Sequence, residues 1–278
     1  EQGLTIIFIS HKLDEVLSVA DAITVIRRGE TVANVSPKEV TARRLAELMV
    51  GSELPSPQTG ESTVTDEVAL EVSGLSMVKD GRPLLSGIDL RIRKGEVVGI
   101  AGVEGNGQAE LVEAIMGMRP IDSGTIRLLG EDITHWPTLR RRERGIAYIP
   151  EDRHRHGLLL DAPLWENRIL GHQTRRPNVK GFWIDRAGAR RDTQRIVERY
   201  DVRTPGIDVA ASALSGGNQQ KLIVGREMSG DPVVLIAAHP TRGVDVGAQA
   251  AIWDHLREAR ANGLAVLLIS ADLRSEER

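Results

Sequence analysis

Leu214-Ser215-Gly216-Gly217-Asn218-Gln219-Gln220-Lys221 sets a small hydroxyl and two glycines directly in front of a helical stretch. Serine is a strong helix N-cap, and the N–H groups of a helix start favour an anion. Glycines there let a ligand approach the backbone closely. Downstream, residues 233–238 read as a short buried strand. Residues 247–261 follow with helical spacing and one apolar face at Ala248, Ile252, Leu256 and Ala259. Residues 265–270 are a second short apolar run. Upstream, residues 97–117 read as strand, glycine-rich turn and helix, and residues 185–200 as a charged helix. Strands that alternate with helices predict an α/β fold with a mainly parallel sheet and helices packed on its faces.

The turn in residues 97–117 is Gly102-Val103-Glu104-Gly105-Asn106-Gly107-Gln108-Ala109. Gly102, Gly105 and Gly107 have the frame of a phosphate-binding loop, whose backbone N–H groups close around phosphate oxygens. The usual pattern ends in Lys and Ser or Thr. Here Gln108 and Ala109 stand in those places, so the frame also reads as an ordinary strand-to-helix connection.

The octet at residues 214–221 resembles the signature sequence of ATP-binding-cassette (ABC) proteins, in the form common in sugar and nucleoside importers. The resemblance covers essentially the whole chain. It implies a P-loop NTPase cassette with a mainly parallel core sheet, an antiparallel β subdomain and a helical subdomain. It also implies that Leu214, Ser215, Gly216, Gly217, Asn218, Gln219 and Gln220 face the γ-phosphate of an ATP held by a partner cassette. Val233 to Asp245 is similar to the Walker B strand and D-loop, with Asp245 in the D-loop. The family writes Asp-Glu-Pro-Thr where this chain has Ala238-His239-Pro240-Thr241. The carboxylates that hold Mg²⁺ and orient the attacking water are therefore missing. A base at His239 has little to act on without a metal or a phosphate-clamping Lys. Glu151 stands at the Q-loop position, no aromatic stands at Met77 or Val78, and Ala271 replaces the switch histidine.

The chain carries an internal echo. Residues 3–13 align with residues 263–273 at a constant offset of 260. A period that long reads as a duplicated domain. Residues 1–51 are expected to be the tail of a first cassette, 52–67 a linker, and 68–278 a second cassette truncated at its C-terminus. Residues 3–10 are expected to form a buried strand whose sheet lies upstream. His11, in register with Ala271, is expected to be the first cassette's catalytic switch histidine. By the family's head-to-tail pairing, one composite site takes His11 and this signature and stays intact. The other holds the altered Gln108, Ala109, Ala238, His239 and Ala271.

Composition narrows the class. Hydrophobic residues make up 41% of 278 residues, enough for an aliphatic core, with only 3% aromatics. A net charge of −3 argues against a nucleic-acid binder working through a broad basic field. No cysteine is present, so there is no disulfide framework or thiolate metal site. No apolar run approaches the roughly 18–20 residues that span a bilayer. Residues 140–144, Arg-Arg-Arg-Glu-Arg, read as a solvated helix face. The expected function is the ATPase subunit of an importer for nucleosides or simple sugars, on the cytoplasmic face of the membrane. ATP and Mg²⁺ are expected at the composite site of the tandem protein, with no metal held by this chain alone. The expected partners are integral membrane permease subunits and, indirectly, a periplasmic or lipoprotein solute-binding protein, with no nucleic acid. Residues 151–170 are expected to receive a permease helix through Leu158, Leu159, Leu160, Leu164 and Trp165. Two other classes stay open: a non-hydrolysing regulatory cassette, and a soluble tandem-cassette ATPase of translation or DNA repair.

Overall fold

A computed structural model describes residues 4–10, 13–27, 29–51, 62–102 and 105–270. His11, Ala271 and residues 52–61 of the expected linker lie outside them. The chain divides into two units, one of residues 4–51 with Val244–Ala251, the other of residues 62–243 with 252–270.

The first unit holds α1 (Leu13–Val19), β1 (Ile23–Arg27), β2 (Glu30–Val35) and α2 (Ala42–Val50). β1 and β2 pair antiparallel, and alternation buries Ile23 and Val25 against Leu45 of α2. Thr41 caps α2 by accepting from the Arg44 N–H, and Gly51 closes it in the left-handed conformation at φ 88°. Residues 4–10 differ from expectation. They form no strand, and Leu4, Ile6, Ile7 and Ile9 are exposed. Among the described residues no strand pairs with this apolar run, so alternation has no face to bury.

The second unit begins with β3 (Val68–Lys79) and β4 (Arg82–Arg93), then β5 (Val97–Ala101), α3 (Gln108–Met116), β6 (Ser123–Leu128) and β7 (Glu131–Asp132). α4 (Thr138–Arg144), β8 (Ile146–Ile149), α5 (Leu164–Ile169), β9 (Val179–Lys180), β10 (Trp183–Ile184) and α6 (Arg186–Arg199) follow. α7 (Gly216–Met228), β11 (Val234–Ala238), α8 (Val246–Ala261) and β12 (Ala265–Ser270) complete the chain, α8 being divided between the units. β3 and β4 form a long antiparallel hairpin. Their two-residue turn takes positive φ at both Asp80 and Gly81, the geometry that matches strand twist.

Two sheets result. One is antiparallel, ordered β4-β3-β6-β7, and the other is parallel, ordered β5-β12-β11-β8. Every residue of β11 is buried, as a strand covered on both faces requires. One aliphatic cluster joins the sheets across α3, through Ile115, Met116, Ile126, Leu128, Ile236 and Leu267. α5, α6 and α7 form the helical part. A Cβ on Gly225 of α7 would stand 2.6 Å from Ile196 of α6, so glycine permits that close crossing.

The arginine run of α4 is only partly a solvated face. Arg141 is 2% exposed. It donates to the carbonyls of Ala114, Ile115 and Thr134 at 2.7 Å each, and of Trp136 at 2.9 Å. It thus caps the C-terminal end of α3, where carbonyls lack helical partners. Within residues 151–170, Leu158 and Leu164 are core, Leu160 and Trp165 are half-buried, and Leu159 is exposed.

Candidate functional site

A cleft of about 870 Å³ opens beside the carboxyl ends of the parallel strands, the edge where open α/β sheets bind ligands. Its wall includes Gln108 and Ala109 at the start of α3, Tyr148 on β8, Glu151 to His156, Ala238 at the end of β11, and Arg242.

On one side stands the glycine-rich turn. Gly105 and Gly107 have φ of 91° and 98°, and Gly107 precedes α3 without a side-chain cap. Val103 and Glu104 lie outside the described residues. Gln108 folds back over the turn: its Oε1 accepts from the Asn106 N–H at 3.0 Å. A Cβ on Gly102 would stand 2.5 Å from its Nε2. The carboxamide thus uses one of the N–H groups that a phosphate would need. Mg²⁺ takes oxygen ligands. Ala109 and Ala238 have none to offer, and the Gln108 oxygen is already bonded. The described residues contain no cluster of three acidic or imidazole side chains able to hold a metal. His239 sits at φ 48° and donates its N–H to the Ile269 carbonyl at 2.9 Å. Met77 is buried and Val78 exposed.

The start of α7 is not among the residues that wall this cleft. Ser215 is its N-cap; Oγ accepts from the Asn218 N–H at 3.4 Å and from Asn218 Nδ2 at 2.9 Å. Ser215 is exposed, and Gly216 and Asn218 are half-buried. Leu214, Gly217, Gln219, Gln220 and Lys221 are buried. Lys221 donates to the carbonyl and carboxylate of Asp201 at 3.0 Å. Only the first part of the octet is thus open to a ligand. Asp245, in the other unit, caps the first turn of α8 by accepting from the Ala248 N–H at 2.9 Å.

A polar chain that the sequence reading did not foresee connects the elements of the cleft. Arg153 donates through Nη1 to the Arg242 carbonyl at 2.8 Å and through Nε to Gln219 Oε1 at 3.3 Å. His154 Nε2 lies 2.9 Å from the same oxygen, and Gln219 Nε2 donates to the Ala211 carbonyl at 3.1 Å. Arg242 also pairs with Glu151. A Cβ on Gly216 would stand 2.7 Å from Arg153 Nη2 and 3.1 Å from the Gly243 carbonyl, so glycine is needed there for packing as well. Asp152 holds the turn at residues 153–157 by accepting from the N–H groups of His154 and Arg155. Arg153 and Arg242 lie 89 residues apart, and neither has a spacing that marks it in sequence.

Behind the cleft, Glu227 accepts from Arg142 at 2.9 Å, from Arg226 at 2.9 Å and from the Tyr148 N–H at 3.1 Å. Burial pushes its carboxyl up, but the Arg226 and Arg142 charges prevail and hold it at about 2. Burial pushes the neighbouring His172 down to about 3. The two groups act in different pH windows. The unfolded histidine titrates near 6.5, so from there down to about 3 the unfolded chain binds a proton that the folded chain refuses. Stability is therefore expected to fall by roughly 1.4 kcal/mol per pH unit in that window. Glu227 has a depressed value, so its contribution is present above about 4.5 and lost as pH falls through about 2. Thermal unfolding at pH 7 and pH 5 checks the histidine. The wild-type midpoint should drop on acidification, and His172→Gln should flatten that drop. An equal drop in the variant would refute the assignment.

A sequence profile of the family described as ABC transporter matches residues 85–242, from β4 through the turn after β11. The chain belongs to the ABC transporter family. A nucleoside import ATP-binding protein of Lactococcus lactis is 43% identical over 275 residues, covering 98% of this chain and 54% of that protein. A glucose import ATP-binding protein of Haloferax volcanii is 41% identical over 278 residues, covering 98% of this chain and 50% of that protein. The chain spans about half the length of the curated relatives it matches. An ATP-binding cassette of an ABC transporter in its ADP conformation superposes with a TM-score of 0.61 at 23% identity, over 74% of this chain and 82% of that one. The expected ABC cassette fold is therefore present: a parallel core sheet, an antiparallel sheet and a helical part. No helix among the described residues is long and apolar enough to cross a membrane.

Proposed function

We propose that this chain is the second-cassette portion of a tandem ATPase that drives an importer for nucleosides, with simple sugars as the alternative solute. It works at the cytoplasmic face of the membrane, bound to permease subunits through residues 151–170 and supplied by a solute-binding protein. The two cassettes pair head to tail. Ser215 and the N–H groups at the start of α7 then complete an ATP site whose phosphate loop and His11 belong to the first cassette. That site binds ATP with Mg²⁺ and hydrolyses it. The glycine-rich turn of this chain is the degenerate site. The observation that carries the reading is the contrast within one cassette: an exposed serine-capped helix start, and a phosphate-loop frame closed by its own Gln108.

The isolated chain should neither hydrolyse ATP nor bind Mg–ATP tightly. Losing a phosphate-clamping Lys and the oxygen anchors at Ala109 and Ala238 should cost about 3–6 kcal/mol, or roughly 10²–10⁴ in affinity. Titration with a fluorescent ATP analogue tests this, and micromolar binding would show that the catalytic site has been given to the wrong half. For the solute, uptake of labelled nucleosides by cells lacking the gene should fall. Unchanged nucleoside uptake with lost pentose or hexose uptake would move the assignment to sugars.

A further inference from the structure

Three consecutive apolar side chains stand uncovered on a rigid mount. β9 and β10 pair antiparallel around the two-residue turn Gly181-Phe182, with Gly181 at φ 63°. Glycine with positive φ at the first central position suits a tight hairpin turn. Phe182, Trp183 and Ile184 are 104%, 81% and 45% exposed. The base of the hairpin is tied down. The Asp185 N–H donates to the Asn178 carbonyl at 2.9 Å, and the Asp185 carboxylate caps α6 through the Gly188 N–H at 2.9 Å. Asn178 is fully buried and donates to the His172 carbonyl at 3.2 Å. The aromatic tip is therefore held outward by a fixed scaffold, and an exposed apolar group of this kind marks an interaction surface.

The charge around the tip says what it meets. Residues 175–191 hold six Arg and Lys against one Asp, in a chain whose net charge is −3. Arg176, Lys180, Arg186 and Arg191 are exposed, and among the described residues none of them makes an ion pair. The one acid, Asp185, is committed to the helix cap. An apolar tip ringed by unpaired cations complements an anionic surface with an apolar interior. Trp and Phe settle at the headgroup level of a bilayer, and Lys and Arg beside them are drawn to acidic lipids.

We propose that the β9–β10 hairpin inserts Phe182, Trp183 and Ile184 into the interfacial layer of an anionic phospholipid membrane, with the flanking cations on lipid phosphates. This contact is independent of nucleotide and solute. One short tip with a few cations makes a reversible attachment, which orients a protein already held by a membrane partner.

Co-sedimentation of the full chain with vesicles tests it. Binding is expected to vesicles of phosphatidylcholine mixed with phosphatidylglycerol, and to be about tenfold weaker or more with phosphatidylcholine alone. Phe182→Ser combined with Trp183→Ser, and separately Lys180→Glu combined with Arg186→Glu, should each weaken binding to the mixed vesicles by about tenfold or more. Trp183 emission should shift to the blue with those vesicles, and Trp183→Phe should remove the shift. Thermal unfolding of the variants should match the parent, because the tip packs on nothing. Absent binding to the anionic vesicles, or unchanged binding by both double variants, would overturn the proposal. So would a Phe182→Ser/Trp183→Ser protein that keeps vesicle binding but loses co-purification with its permease in detergent, since the tip would then be a protein contact.

Discussion

Glu227→Ala should destabilise the folded chain by about 3–5 kcal/mol, the range for removing one member of a buried ionic network. Its side chain is 1% exposed, and Arg226 beside it is 5% exposed. Removing the carboxylate leaves two guanidinium groups and the Tyr148 N–H without their acceptor. Repulsion between Arg142 and Arg226 is then no longer offset. Against a total stability of about 5–15 kcal/mol for an ordinary domain, this is a large fraction. Glu227→Gln keeps the shape and one acceptor and should cost less. Urea unfolding decides it, read as a lower midpoint with an unchanged slope. A loss below about 1 kcal/mol would show that water or relaxation replaces the carboxylate.

Ser215→Arg in the proposed tandem protein should reduce ATP turnover by about 10²-fold or more, the loss that follows removal of one preorganised donor to a developing anion. The substitution also places a long side chain over the exposed helix start, where the transferred phosphate of the proposed intact site belongs. Gln108→Ala should leave turnover nearly unchanged, because in this reading the turn it closes performs no chemistry. Phosphate release by both variants separates the two sites. A dead Gln108→Ala enzyme would reverse the assignment.

The central strands β11 and β12 were legible because they are buried nearly throughout, whereas the edge strand β5 is mostly open. Residues 233–238 and 265–270 read as short continuous apolar runs, and strands appear at Val234–Ala238 and Ala265–Ser270. Of the helices, α8 carries its own apolar periodicity and α7 its serine cap at Ser215. Residues 4–10 show the limit of that reading. The same apolar pattern makes no strand there, and among the described residues no strand pairs with it, since pairing is a property of the sheet. In the site, the glycine frame and the serine cap follow a local rule and could be read locally. The Arg153–Gln219–Arg242 chain could not, because its members meet only through the fold. Arg141 and Arg142 misled for the same reason: composition marks them as surface, but one caps α3 and the other neutralises Glu227. That Gln108 turns back on its own loop is a rotamer choice, and sequence carries no trace of it.

The burial of the second half of the octet at residues 214–221 has a consequence for descent. Gln219, Gln220 and Lys221 are enclosed by their own cassette, with Gln219 and Lys221 bonded to residues outside α7. Selection for a properly seated helix would preserve those letters even in a lineage that had stopped using nucleotide. Inheritance of the whole string therefore records two histories at once, one of architecture and one of chemistry. Drift at the exposed Ser215 is the earlier sign that the chemistry has been abandoned, and Gly216, fixed by its packing, and the later glutamines would outlast it.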